Sequence, residues 1–336
     1  MGAFNEASFT EKCAGFELPP VFCWLLRKFS PAPSGHFMRQ VKVFFAALFV
    51  AALGAEAAAA QSGFGASGAE GVPDRRQPWR VPSSEPGALA HAVLFRPPGE
   101  GPFPLALIAH ASTQNVLRRA QMPQPEYRAL AAFMVLRGFA VLVPERPGHG
   151  ATGGNYLEDQ GGCDAADYAK AGRATAAAIA VTIGFMRQQA FIRPDRMVVI
   201  GHSAGGWGAL ALAGENPEEV AAIIALAPGR GGHANDFPNQ VCAPHTLLAA
   251  AAEFGQAARV PVTWLVAAND SYFSPALSRQ LADGFRHAGG KVDFRVVKAY
   301  GSEGHWLPET EGGVKSLASE LDRVLKSRPP NPAGQR

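Results

Sequence analysis

Gly201-His202-Ser203-Ala204-Gly205 is the stretch on which the reading of this chain turns. It follows a short apolar run at 197–200 and opens a small-residue apolar segment at 204–213. A strand that passes through G-x-S-x-G into a helix raises a serine on a tight turn and presents its hydroxyl at the end of a sheet. The glycines follow from geometry, because side chains two positions before and two after such a serine would collide with the turn. A helix starting at Ala204 aims the positive end of its dipole at the serine. Its first N–H has no partner inside the helix, so Ala204 is the first candidate donor to an oxyanion.

Outward from this point the chain alternates between two periodicities. Apolar runs at 92–96, 105–109, 139–143, 197–200, 221–226, 261–267 and 292–297 read as strands. The segments 126–137, 165–189, 204–213, 275–288 and 314–325 read as helices. Strands alternating with helices imply βαβ units and a mostly parallel sheet flanked by helices, an α/β fold. Runs as continuously apolar as 105–109 fit burial on both faces. Residues 229–255, Gly/Asn/Pro-rich and then Ala-rich, are the candidate small cap. Residues 61–88, rich in Gly, Ser and Pro, read as a flexible or edge-draping N-terminal segment.

A serine hydroxyl becomes a nucleophile only with a base beside it and an acid that orients the base. In chain order after Ser203, Asp270 follows the strand at 261–267 and His305 follows the strand at 292–297. Both stand at C-terminal strand ends, where parallel sheets carry their sites. Ser274-Pro275 starts the next helix, so Asp270 is not needed as its cap. Glu303 and Asp283 are weaker candidates for the acid. Of the nine histidines, only His305 combines the order with the position; His202 adjoins the serine and is expected to point away. A second oxyanion donor belongs in the loop after an early strand, at His110-Ala111-Ser112. Ala111 N–H is the first choice and Ser112 N–H the second.

On these residues the chain resembles the α/β-hydrolases over roughly 90–325, and most nearly their dienelactone-hydrolase-like serine esterases. The resemblance rests on the elbow 201–205, on Asp270 in Asn-Asp-Ser-Tyr-Phe, and on His305 in Glu-Gly-His-Trp. Pro144-Glu145-Arg146-Pro147-Gly148-His149-Gly150 is similar to the superfamily's Arg-Gly-His-Gly loop. Two departures stand out. Dienelactone hydrolases use a cysteine where this chain has Ser203, and their His-Gly oxyanion loop reads His110-Ala111 here. The resemblance implies acyl transfer to water through an acyl-enzyme on Ser203, with carboxylic ester cleavage first. Amide or peptide cleavage, transfer to an alcohol, and a non-catalytic binding protein are the alternatives. Trp207, Tyr272 and Trp306 flank the expected site as candidates for a substrate pocket. Arg230 is placed in a solvated basic loop.

The 336 residues are 47% hydrophobic and 18% charged, with net charge +3 and no long Lys/Arg run, which offers nothing to nucleic acid. No Cys/His spacing suggests a metal, and no G-x-G-x-x-G suggests a nucleotide cofactor, so neither is expected. The expected partner is a small-molecule ester; oligomeric state is not readable. Met38, Arg39 and Lys42 precede an apolar run at 43–55 and then Ala58-Ala59-Ala60. This is a signal-peptide pattern at 38–60 with cleavage before Gln61, and the run falls short of the ~20 residues of a membrane span. Residues 1–37 then read as a start assigned too early, or else as a leader before an uncleaved anchor. The catalytic domain is 89–328, and 329–336 is a disordered tail. Secreted or periplasmic location follows, and Cys163 and Cys242, the cysteines that would survive cleavage, are expected to pair.

Overall fold

The computed structural model describes residues 63–326. The leader, the signal-peptide pattern and the tail at 329–336 lie outside the described residues. Nine strands form one sheet: β1 (Gly65–Ala66), β2 (Gln77–Pro82), β3 (Leu89–Phe95), β4 (Phe103–Ala109), β5 (Ala140–Pro144), β6 (Ile192–His202), β7 (Val220–Leu226), β8 (Val262–Ala267) and β9 (Val292–Val297). Their spatial order is β1-β2-β3-β5-β4-β6-β7-β8-β9. The first three run antiparallel to their neighbours, and β5, β4, β6, β7, β8 and β9 are parallel.

Of the two readings of 61–88, the edge-draping one fits Gln77–Pro82, which pairs along its whole length with β3. Its Trp79 and Val81 are buried at alternate positions, a period of two too short to stand out among the flanking prolines. The candidate cap at 229–255 divides. Pro244–Gly255 is a helix of the flanking layer, whose Leu247, Ala251 and Phe254 enter the same core as Trp207. Only the irregular strip before it lies over the sheet end.

Among the described residues seven α-helices accompany the sheet: α1 (Val116–Ala120), α2 (Arg128–Val135), α3 (Tyr168–Met186), α4 (Ala204–Glu215), α5 (Pro244–Gly255), α6 (Pro275–His287) and α7 (Glu311–Lys326). Helices α3, α4, α5 and α6 cover one face, and α2 and α7 the other. Along β6 the side chains divide accordingly, with Met197 and Val199 in one core and Val198 and Ile200 in the other. Ser274 caps α6 through Leu277 N–H with Pro275 in its first turn, and Asp167 caps α3 through Lys170 N–H. No helix among the described residues is long and apolar enough to cross a membrane.

The connections determine where a site can sit. From β4 the chain crosses to β5 on one side and then returns to β6 on the other. That reversal opens a crevice at the carboxyl ends of β4 and β6. In register, Ala109 at the end of β4 lies beside Gly201 of β6. The loop after Ala109 and the turn at Ser203 therefore face each other across the crevice.

Candidate active site

Ser203 sits between β6 and α4 with φ 53° and ψ −117°. Such a backbone costs a non-glycine residue about 1–3 kcal/mol and persists only where its surroundings hold it. Here Ser203 N–H donates to Leu226 O (2.9 Å), and Ser203 O accepts from Trp207 N–H (2.9 Å) and Gly229 N–H (3.2 Å). Although Ser203 is the N-cap of α4, its hydroxyl makes no capping bond. A Cβ at Gly201 would strike the Gly205 carbonyl, and one at Gly205 would strike the carbonyls of Ala109 and His110. Gly205 thus also lets β4 pass beneath the turn.

Asp270 and His305 meet at the ends of the neighbouring strands. The Asp270 carboxylate takes Tyr272 N–H (2.9 Å) and Phe273 N–H (2.8 Å) on Oδ1, and His305 Nδ1–H on Oδ2 (3.0 Å). Both side chains are buried. Burial pushes the His305 imidazole below its ordinary pKa; Asp270 pulls it up through the hydrogen bond and its charge, and His202 opposes. The ring is therefore neutral near pH 7, with the Nδ1 proton held by a carboxylate that can only accept. Glu303 takes another role: its carboxylate accepts Ser271 N–H (3.1 Å) and His305 N–H (2.9 Å) and ties the two loops together. Asp283 pairs with Arg286 on the surface of α6.

Across the crevice the structure corrects one assignment. Ala111 N–H donates to the Tyr127 hydroxyl (3.0 Å), so it is not free for an oxyanion. Ser112 N–H, the second choice, makes no hydrogen bond among the described residues and is the remaining candidate donor. The Ser112 side chain is held by a directed chain. His149 Nδ1 faces the carbonyls of Arg146 and Pro147 (3.1 Å each) and must carry a proton. Its Nε2 then accepts from Ser112 Oγ–H (2.7 Å). Tyr156 O–H in turn reaches Ser112 Oγ (3.3 Å), and Arg230 Nη1 donates to Tyr156 Oη (3.1 Å).

Arg230 lies in no solvated loop. It is 4% exposed and shares the carboxylate of Glu158 with Arg146. Arg146 also donates through its backbone N–H to His110 Nε2 (3.1 Å) and through Nη1 to His110 O (2.9 Å). Sequence reasoning missed Tyr127, Tyr156 and Glu158, and read His149 only as part of a family-like loop. The Arg-Pro-Gly-His loop was the available signal for His149, whereas nothing near Glu158 in sequence marks it as a buried acid.

Of the three candidate pocket aromatics, Trp207 is elsewhere: it is fully buried, donates to Tyr168 O (2.9 Å) and packs against Phe254. Tyr272 stacks on His305, and Trp306 stands edge-on to both rings. His233 covers the other face of Tyr272, with ring centroids 3.6 Å apart. A disulfide joins Cys163 to Cys242, with Cα atoms 5.0 Å apart. Among the described residues no group of three or more His, Cys, Asp or Glu side chains could hold a metal ion.

An esterase of Pyrococcus furiosus superposes on 75% of this chain and 92% of its own, at TM-score 0.53 and 13% identity. The chain has the α/β-hydrolase fold. The same α/β-hydrolase core aligns 75% of the chain with 41% of an acylaminoacyl peptidase from Pyrococcus horikoshii, at TM-score 0.54 and 12% identity. A Klebsiella pneumoniae chain described as a dienelactone hydrolase aligns over 75% of this chain and 96% of its own, at TM-score 0.51 and 15% identity. Residues 125–229 match the model of the prolyl oligopeptidase family. That segment of the α/β-hydrolase core contains Tyr127, Arg146, Glu158 and Ser203, and ends before Arg230, Asp270 and His305. No curated protein matches the chain.

Proposed function

We propose that the protein is a serine hydrolase that cleaves a carboxylic ester through an acyl-enzyme on Ser203. The observation that carries this reading is the buried hydrogen bond from His305 Nδ1 to Asp270 Oδ2 at 3.0 Å, at the sheet end that holds the Ser203 turn. A neutral imidazole with Nδ1 protonated has its Nε2 lone pair free for a serine proton.

In this reading Ser203 Oγ attacks the ester carbonyl carbon while His305 Nε2 takes its proton. The carbonyl oxygen becomes an oxyanion facing Ala204 N–H and Ser112 N–H. The imidazolium, stabilised by Asp270, returns the proton to the departing alcohol. Water then repeats the cycle on the acyl-serine, with His305 again the base, and releases the acid. Tyr272 and Trp306 line the approach to His305. Export is part of the same proposal, supported by the Cys163–Cys242 disulfide and the pattern at 38–60.

A second reading, cleavage of an amide or peptide, is favoured by the prolyl oligopeptidase match over 125–229. We place it second because the chain aligns with 92% of the Pyrococcus furiosus esterase but with 41% of the acylaminoacyl peptidase. The test is intact-mass analysis after fluorophosphonate treatment, followed by a panel of esters and anilides. One adduct on the wild type, none on Ser203→Ala, and turnover of esters ahead of anilides are expected. A folded wild type that takes no adduct overturns the reading in favour of a binding protein.

A further inference from the structure

His202 was expected to point away from the adjacent Ser203. Its imidazole is fully buried and engages Tyr127 and the His305 carbonyl. Its Nε2 lies 2.8 Å from the backbone carbonyl of His305, which can only accept, so Nε2 carries the proton. Its Nδ1 then accepts, and the group facing it is the Tyr127 hydroxyl at 2.9 Å. Tyr127 Oη accepts Ala111 N–H at 3.0 Å and has its own proton to give to His202. With His202 neutral, one direction of donation satisfies every link: Ala111 N–H to Tyr127, Tyr127 O–H to His202 Nδ1, His202 Nε2–H to His305 O. Glu309 flanks the middle of the chain, its Oε1 3.3 Å from His202 Nδ1 and 3.4 Å from Tyr127 Oη.

Tyr127 reaches this place at a conformational cost. It is the N-cap residue of α2 yet lies in the left-handed region (φ 47°, ψ 45°) and makes no side-chain capping bond. A bulky residue is held there only where its surroundings over-determine it. The hydroxyl fixed between Ala111 and His202 supplies that constraint.

We propose that His202 and Tyr127 are positioning residues for the hydrolytic reaction: together they set the distance between the oxyanion loop at 111–112 and the general base His305. Both side chains are buried. They act through backbone groups, an N–H on the oxyanion side and a carbonyl on the base side. The geometry of both halves is thereby referred to the residue that immediately precedes the nucleophile. This inference rests on the serine-hydrolase reading of Ser203, and its test is built to separate the two.

Steady-state kinetics on a p-nitrophenyl ester would compare wild type, Tyr127→Phe, His202→Ala, His202→Gln and the double variant Tyr127→Phe/His202→Gln, each checked for an intact melting transition. Misplacing reacting groups by a fraction of an ångström lowers kcat, so Tyr127→Phe and His202→Ala are expected to lose roughly 10–100-fold in kcat with KM within about twofold. The glutamine amide can still donate to His305 O, so His202→Gln should recover part of that loss. The double variant should be little worse than the worse single one, as members of one chain are. Unchanged kcat, a loss confined to KM, or losses that multiply in the double variant would overturn the proposal. In parallel, 15N-histidine NMR of the wild type reads the His202 tautomer without any variant: Nε2–H is expected, and Nδ1–H overturns the chain. If the wild type takes no fluorophosphonate adduct, the hydrolase reading fails and with it the catalytic purpose of the pair; the tautomer would still report whether the hydrogen-bond chain exists.

Discussion

Tyr272 lies nearly flat against the imidazole of His305, with ring centroids 4.3 Å apart and planes inclined by 22°. An aromatic face of this kind attracts a cation, by about 0.5–2 kcal/mol depending on desolvation. In the proposed cycle His305 becomes a cation only when it takes the serine proton, so the stacking favours the transition state over the resting site. Tyr272→Phe keeps the face and should keep kcat. Tyr272→Leu removes it and should lower kcat by roughly 2–30-fold. Because the imidazolium is then less stable, the acid limb of kcat/KM should move to lower pH, beyond the shift that burial already gives His305. A limb that stays in place or moves up in Tyr272→Leu would show that the ring only packs.

Glu158 is a single carboxylate between two buried guanidinium groups, Arg146 and Arg230. Burial raises its pKa, but the two arginines outweigh burial and hold it well below the ordinary carboxylate range. Glu158→Gln leaves both cations without a counter-charge, and removing one partner of a buried ion pair costs about 3–5 kcal/mol. Glu253→Gln, at the exposed pair with Arg173, should cost about 1 kcal/mol or less. Urea denaturation of the two variants measures the contrast. Equal losses would mean that the buried cluster is not held by charge.

Much of this arrangement was legible because it rests on local rules. The glycines at 201 and 205, the apolar runs and the Ser274-Pro275 cap each state their own geometry, and the order of Ser203, Asp270 and His305 follows from where parallel strands end. What was not legible depends on contacts between distant residues. Ala111 is a reasonable oxyanion donor until Tyr127, sixteen positions on, takes its N–H. Trp207 is near Ser203 in sequence, but the helix that starts at Ala204 turns it into the core. Arg230 looks solvated because its counter-ion, Glu158, is 72 residues away. Strand β2 stayed hidden because Pro78 and Pro82 sit in it, which is tolerated where only the two residues of β1 pair on its outer side.

His110 and His149 make the fold sensitive to mild acid. Burial lowers His149 from 6.5 to about 4, and burial together with the nearby Arg146 charge holds His110 well below its ordinary value. As the pH falls below 6.5 the unfolded chain takes up protons at these positions and the folded chain does not, so stability falls. Two such groups give a slope of up to about 2.7 kcal/mol per pH unit, and the lowered pKa of His305 acts in the same direction. Near pH 4 His149 protonates in the fold as well, and its contribution to the slope ends. Urea midpoints at several pH values between 6.5 and 4.5 should show this loss, reduced by about one proton in His149→Gln. A flat profile across that interval would mean that both rings protonate freely in the folded protein.

The disulfide fastens the strip that covers the site. Cys242 N–H bonds to Gly231 O (2.9 Å) and Asn239 N–H to Ser271 O (2.7 Å), so the segment carrying Arg230 and His233 is anchored at both the bridge and the Asp270 loop. The bridged residues are 79 positions apart. Closing a loop of that length in the unfolded chain stabilises the fold by about 4–5 kcal/mol in the chain-entropy model, and measured bridges give typically about 2–4 kcal/mol. The double variant Cys163→Ser/Cys242→Ser should therefore melt roughly 5–15 °C lower than the oxidised protein. Below that transition His233 should leave the outer face of Tyr272 before the sheet opens, so kcat should decline at temperatures where far-ultraviolet circular dichroism is still native. Thiol counting on the unfolded wild type before reduction checks the premise, since two free thiols would remove it. Loss of activity and loss of secondary structure at one temperature would show that the strip is held by the strip's other contacts and not by the bridge.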